Sequence, residues 1–382
     1  MTENATTATV RDLMAAFAGR TGLDPSAPHP RRYLWTDAYA VCNYLELHRR
    51  TDDEIYRDIA LRLVDQVHRT LGRHRDDDQR TGWISGLSEA EGEAHPTRGG
   101  LRIGKTLPEH RSGEPFDERL EWDRDGQYYH YLTKWMHALI RVSRATKDPV
   151  YLGWAVELAR AAHAAFTYLP PSGGSKRMCW KMSIDLSRPL VPAMGQHDPL
   201  DGFVTYSELQ AAGGGSPHLD LSPEIADMAG ICRDGNRATD DPLGIGGLLF
   251  DAGRIAQLMD RGGSAHLDLL RSVLDAALAG LAAFARAGSL RYPAEYRLAF
   301  RELGLAGVPG LAGRVRENPD IFGRGALERR AEALAEYVPL ADAIIGFWVD
   351  DRNRETGAWT GNRDINTVML ATTLAPGEFL AV

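Results

Sequence analysis

Cysteine is scarce in this 382-residue chain: Cys42, Cys179 and Cys232 are its only three, and none stands at C-x-x-C spacing. That excludes a disulfide framework and a cysteine-built zinc module, leaving buried thiols suited to a reducing compartment. Long apolar runs are missing as well. None approaches the ~20 residues of a membrane span, and the opening MTENATTATVRDLMAAFAGR has neither the basic start nor the apolar core of a secretory signal. The expectation is a cytoplasmic protein that does not enter the membrane. Basic charge is also short, 44 Lys and Arg against 52 Asp and Glu, for a formal net charge of −8. Nucleic acid is therefore not expected as a partner, because phosphate binding needs a concentrated basic surface. H-E-x-x-H, the EF-hand spacing and G-x-S-x-G are absent, and GGLRIGKT at Gly99 to Thr106 lacks the apolar strand that precedes a phosphate loop. No cofactor and no metal are expected.

Strand-like alternation is scarce too, and helical periodicity fills the chain in segments rich in Ala, Leu, Arg and Glu. The predicted helices come in unlike pairs. Tyr33 to Arg49 is apolar over most of its circumference, as in a helix covered on several sides. The next segment, Asp52 to Leu71, is apolar on one face only, with Ile55, Ile59, Leu63, Val67 and Leu71 spaced four apart. The pairing recurs from Gly126 to Thr146 with Pro149 to Tyr168, from Pro242 to Met259 with His266 to Ala287, from Tyr292 to Leu305 with Arg324 to Ala335, and from Val338 to Asp350 with Asp364 to Leu374. A sixth pair falls between Phe203 and Ile231, where Ser222 and Pro223 read as a helix start. Buried helices alternating with one-faced ones predict two concentric layers within a single domain over residues 1–382. The alternative is a stacked solenoid, against which stands the lack of a fixed repeat period. Residues 73–127 are predicted to be an insertion folded over one mouth of the ring, and residues 172–203 an active-site loop.

Met178 to Phe203, MCWKMSIDLSRPLVPAMGQHDPLDGF, interrupts the helical pattern with Pro189, Pro192 and Pro199. Its apolar content is too high for disorder, so it reads as an ordered loop presenting Trp180, Asp185, Arg188, His197, Asp198 and Asp201. A structural lid with internally paired charges is the other reading. EWDRDGQ, from Glu121 to Gln127, stands at the opening of the second buried helix and carries Trp122, Asp123 and Asp125, followed by Tyr129 and His130. Trp35 and Asp37 hold the same place on the first buried helix. Aromatic faces offer flat contacts to sugar rings, and acids serve their hydroxyls or their chemistry. Helix capping is the competing use of Asp37 and of Asp125.

The segments LWTDAYAV and EWDRDGQYYHYLTKW, each an aromatic and acidic opening to a buried helix, carry a resemblance. The chain resembles the (α/α)6 toroids of the six-hairpin glycosidase superfamily and of the N-acylglucosamine 2-epimerase group, over residues 30–380 and as architecture. The resemblance implies an all-α toroid of about six helical hairpins with a sugar-sized cleft and a saccharide as substrate. The favoured activity is glycoside hydrolysis, with Asp125 and Asp198 as the catalytic carboxyl pair facing one another across the mouth. Trp35, Asp37, Trp122, Asp123, Tyr129, His130, Trp180, Asp185, Arg188, His197 and Asp201 would bind the sugar. Three readings stay open beside it: a sugar epimerase using histidine as acid and base, a cyclase on an α/α barrel, and a non-catalytic binding protein.

Overall fold

The structure, a computed structural model, describes residues 3–233, 235–262, 266–306 and 325–382. They form two compact units, Ala18–Gly235 and Met1–Phe17 with Asn236–Val382. Helix α1 (Glu3–Thr21) contributes to both.

Unit Ala18–Gly235 is built from helical hairpins. Helix α2 (Leu34–Thr51) is buried without interruption from Leu34 to Leu47, whereas α3 (Glu54–Leu71) buries one face through Ile59, Leu63, Val67 and their neighbours. After the short helices α4 (Glu89–Ala94) and α5 (Glu118–Glu121), the pattern returns as α6 (Tyr129–Thr146), mostly buried, and α7 (Pro149–Phe166). Helices α8 (Asp198–Ala212) and α9 (Ser222–Arg233) make the third hairpin, and α6 packs on α2, α7 and α8.

The first two hairpins are the same object built twice. All four helices are 18 residues long, and each member of the second pair starts 95 residues after its counterpart, since 129 − 34 and 149 − 54 are both 95. The turns match atom for atom in kind. Thr51 and Thr146 donate back to the carbonyls of Leu47 and Val142, at 2.7 and 2.8 Å, and accept the N–H groups of Asp53 and Asp148, at 3.4 and 3.2 Å. Between them Asp52 and Lys147 take the left-handed conformation, with φ of 56° and 60°. Asp53 and Asp148 then cap the following helix by accepting from Ile55 and Val150.

Short strands hold the predicted active-site loop against α6. Strand β1 (Gln127–Tyr128) and two strands of that loop, Lys181–Met182 and Pro189–Val191, form an antiparallel sheet in which Tyr128 stands opposite Lys181 and Lys181 opposite Val191. One expectation is corrected here. The stretch ending at Phe203 is irregular only as far as His197, because α8 begins at Asp198. Pro199 had argued for a turn, but proline is accepted in a first helical turn, where its missing N–H has no intrahelical partner. Gly202 on that helix is needed for contact, since a Cβ there would lie 2.2 Å from the Tyr129 hydroxyl.

The other unit contains α10 (Pro242–Gly262), α11 (Leu267–Ala287), the short α12 (Ala299–Leu305) and the helices Ala326–Ala335, Val338–Val349 and Arg363–Leu374. The helix expected from Tyr292 to Leu305 is shorter: Pro293 stands between the 3-10 turns Ser289–Arg291 and Ala294–Tyr296, and α12 begins only at Ala299. Its core is pinned by Glu302, which accepts two parallel bonds from Arg297, at 2.9 and 2.7 Å, and the Trp348 indole N–H at 2.8 Å. Arg324, where the sequence starts the second helix of that pair, lies outside the described residues. Among the described residues no helix is long and apolar enough to cross a membrane.

Candidate active site

Two side chains from neighbouring helices meet at the start of α6 and α8. His130, the second residue of α6, brings Nδ1 to 3.6 Å from Oδ1 of Asp198, the first residue of α8. That Nδ1 and the other carboxyl oxygen, Oδ2, are both buried and make no hydrogen bond. Buried polar atoms are nearly always bonded, so an unbonded ring nitrogen and an unbonded carboxyl oxygen on adjoining side chains single this pair out as a candidate site. Burial pushes the Asp198 carboxyl up to about 8, the neighbouring Asp201 adds to this, and Lys134 opposes it. The α8 N-terminus also favours the ionised form and so tempers the shift. Burial lowers His130 below the ordinary imidazole range. At neutral pH the pair is a protonated acid beside an uncharged base.

Asp201 sits one turn along α8 and is fully committed. Both its oxygens accept from Lys134 at 2.8 Å, and Thr133 donates to it at 2.5 Å. It binds α8 to α6 and leaves its charge beside Asp198. His197 precedes the helix as its N-cap residue, without a side-chain capping bond, while its carbonyl accepts the Asp201 N–H at 3.0 Å.

An aromatic wall adjoins the pair. Trp180 lies parallel to the His130 ring, with centroids 6.3 Å apart and 11° between planes, and meets Trp122 edge-on at 5.1 Å. Trp122 is 47% exposed and offers an open face. Tyr128 packs on both His130 and Trp180, and Tyr131 touches His130 at 4.9 Å and shares a 2.7 Å hydroxyl bond with Tyr33. Lys105 rests over the Tyr33 ring. Behind the wall Lys181, wholly buried, donates to the Glu121 carboxylate at 2.7 Å and to the carbonyls of Glu121 and Arg124, at 2.9 and 2.8 Å. Glu121 also takes His110 at 2.7 Å. These bonds fix the turn bearing Trp122 and Asp123 to the strand that follows Trp180.

Several sequence expectations do not survive this geometry. Asp125 has no exposed surface, and its carboxylate is held by Arg102 at 2.6 Å, by Arg75 at 3.3 Å and by the N–H groups of Gly104 and Lys105. A carboxylate so occupied organises the insertion and is not placed to exchange protons with a substrate. Asp37, 1% exposed, accepts the Tyr33 N–H at 2.9 Å and faces Arg32; it lies in the first turn of α2, whose N-cap residue is Tyr33, so it is neither the N-cap nor placed to meet a sugar. Tyr129 is buried and donates to the Tyr206 hydroxyl at 2.9 Å, within the core. Trp35 is buried on Tyr39, 4.3 Å away, and reaches the wall only through Tyr131. Asp185 and Arg188 do not pair with one another: Asp185 takes Arg80 at 2.8 Å, and Arg188 donates to the His110 carbonyl. Both belong to a surface network binding the insertion to the loop. Asp123 is exposed beside Trp122.

The sequence reading did not place Tyr33 or Tyr131 at the wall, did not foresee the bond from Lys134 to Asp201, and missed the buried Glu121–Lys181 pair behind the wall. Lys134 had a signal, lying four residues after His130 on the same helical face. Among the described residues no group of three or more His, Cys, Asp or Glu is gathered as a metal site would require.

No family model matches the chain, and no curated protein matches it by sequence. Solved structures do match by shape. An alpha-1,6-mannanase from Salegentibacter sp. is 13% identical with a TM-score of 0.54, over 98% of this chain and 100% of that one. A cellobiose 2-epimerase from Spirochaeta thermophila is 12% identical with a TM-score of 0.50, over 95% of this chain and 97% of the other. An alpha-mannanase from Bacteroides thetaiotaomicron is 11% identical with a TM-score of 0.50, over 97% of each chain. Identities this low establish the fold alone, and that fold is the all-α (α/α)6 toroid that the paired helices had implied.

Proposed function

We propose that the chain is a carbohydrate-active enzyme whose proton transfers are carried by Asp198 and His130. The observation behind this is the pair, 3.6 Å apart, in which Asp198 is buried and the His130 ring is 31% exposed, with Oδ2 and Nδ1 buried and bonded to nothing, beside an aromatic wall open at Trp122. Environments that push two titrating groups in opposite directions yield one acid and one base at the same pH. A neutral imidazole can take a proton from the carbon next to a sugar carbonyl, while the protonated Asp198 donates to the oxygen or returns a proton to carbon. Trp122 and Trp180 would stack on the ring. This is epimerase or isomerase chemistry, and it agrees with the activity named for the Spirochaeta thermophila neighbour.

Hydrolysis is the second reading, favoured by the mannanase neighbours and by a carboxyl held protonated, as a general acid must be. It needs a second carboxylate, and Asp125 and Asp201 are both bound by cations. Incubation in D2O with free aldoses, cellobiose and manno-oligosaccharides, followed by NMR, separates the two. Deuterium at the carbon beside the carbonyl, with a new epimer or ketose, supports proton transfer at carbon. New reducing ends without exchange establish hydrolysis, and neither product with any substrate removes the enzymatic reading.

A further inference from the structure

Backbone, and not only side chains, closes over the Asp198 carboxyl. A methyl carbon built on Gly195 would lie 2.3 Å from Oδ2, 2.5 Å from Cγ and 2.8 Å from Oδ1 of Asp198. No real Cβ sits so close to another heavy atom, so the bare Cα of Gly195 rests directly on the carboxyl. It lies nearest to Oδ2, the oxygen that is buried and unbonded. Conformation does not call for glycine here, because Gly195 is not among the residues with positive φ. The requirement is one of space.

Gly195 belongs to a strap, residues 192–197, that runs from the strand ending at Val191 to the start of α8 at Asp198. Pro192, Ala193, Met194 and Gln196 are exposed, whereas Asp198 beneath Gly195 is 5% exposed. Among the described residues, no hydrogen bond involves Ala193, Met194 or Gly195. The middle of the strap therefore meets the site through contact alone. A carboxyl oxygen that water reaches is solvated as the anion, and one covered by a Cα is not. Oδ1 lies 3.6 Å from His130 Nδ1. A side chain on Gly195 would force either the strap off the carboxyl or the carboxyl from its place beside His130.

We infer that Gly195 is a positioning residue of the site: its bare Cα lets the strap seal the Asp198 carboxyl from water and hold it beside His130. For its catalytic meaning the inference rests on the reading of Asp198 and His130 given above, and it adds a residue that acts through Asp198.

The test reads the carboxyl itself and requires no turnover. In the full chain carrying 13C at the aspartate carboxyls, the Asp198 signal is assigned through Asp198→Asn and titrated by NMR from about pH 4 to about pH 9. Wild type and Gly195→Ala are compared. Facing the carboxyl are His130, Tyr129 and Lys134 of α6 and Asp201 of α8, and the substitution changes none of them. The expected midpoint is about 8 in the wild type, and lower by about one pH unit or more in Gly195→Ala, as water reaches the carboxyl. A midpoint near that of the wild type, or above it, in Gly195→Ala overturns this inference alone. A wild-type midpoint in the ordinary carboxylate range overturns the reading of Asp198 as the acid, and this inference with it. If Gly195→Ala melts too low to be titrated, thermal unfolding of Asp198→Ala with and without Gly195→Ala decides. Shortening residue 198 removes the three atoms that the added methyl would meet, so Gly195→Ala should then no longer lower the melting temperature. An equal loss in both backgrounds overturns the inference.

Discussion

A carboxyl that keeps its proton to about pH 8 in the folded chain loses it near pH 4 when unfolded. Between those values the native state binds more protons than the unfolded state, so this group's effect on stability worsens as pH rises. Asp198→Asn removes that dependence. The variant should match the wild type in melting temperature at pH 4 and exceed it increasingly towards pH 8, while losing turnover throughout; thermal unfolding across that range checks it. Asp125→Asn should behave in the opposite way. Breaking a buried ion pair costs about 3–5 kcal/mol, so this variant should melt markedly lower, and a stable but inactive Asp125→Asn would restore Asp125 to the chemistry. The contrast shows what was legible in single residues. Both aspartates stand close to an aromatic or histidine residue near a helix start, and nothing local separates them. Arg102 and Arg75, which occupy Asp125, lie 23 and 50 residues away in an insertion that carries no periodicity. His130 was legible as a helix-face residue near a mouth. Tyr129, next to it, points into the core, because adjacent helical positions diverge by about 100°.

Among elements, helices were readable and their termini less so, because core-facing periodicity spans many residues whereas an end depends on one or two. The strand at Lys181–Met182 left almost no pattern, being two residues long. Its effect is large nonetheless, since Lys181 delivers three bonds to the Glu121–Arg124 turn. Burial lowers the Lys181 ammonium, opposed by Glu121, so the pair sets position at a cost in desolvation. Lys181→Met should loosen Trp122 from Trp180. The expected kinetic signature is a KM raised about tenfold with a smaller change in kcat, the pattern of lost ring contacts; an unchanged KM would show that the two tryptophans do not hold substrate. The hairpin turns offer a cleaner test. Thr51→Val and Thr146→Val each remove the same hydroxyl bonds, and each should cost about 1 kcal/mol in urea unfolding. Unequal losses would mean that the likeness of the two turns is only geometrical.

At the scale of the whole molecule, the alternation of buried and one-faced helices pointed to two layers, and the resemblance carried by the helix openings implied the toroid that the solved structures bear out as the fold, even though no sequence relative matches. Which side chains line its working surface was not, because that depends on the insertion and the loop, which follow no period. A substrate bound to the native state raises stability by mass action, about 2.7 kcal/mol at a hundred times its dissociation constant. A melting temperature that climbs with one saccharide and ignores its stereoisomers would identify the substrate before any turnover is seen. The first two hairpins carry a further implication. Four helices of equal length at a constant displacement, joined by threonine, a left-handed residue and an aspartate in the same order, are more than packing requires. Copying of one hairpin would leave such agreement. The ring would then descend from a duplicated hairpin whose helix faces have since diverged, one copy keeping Trp35 and Asp37 for its own cohesion and the other gaining His130 for work. Its ancestry would be written in the turns, where hydrogen bonding forbade drift, and erased along the helices, where any residue of suitable size would serve.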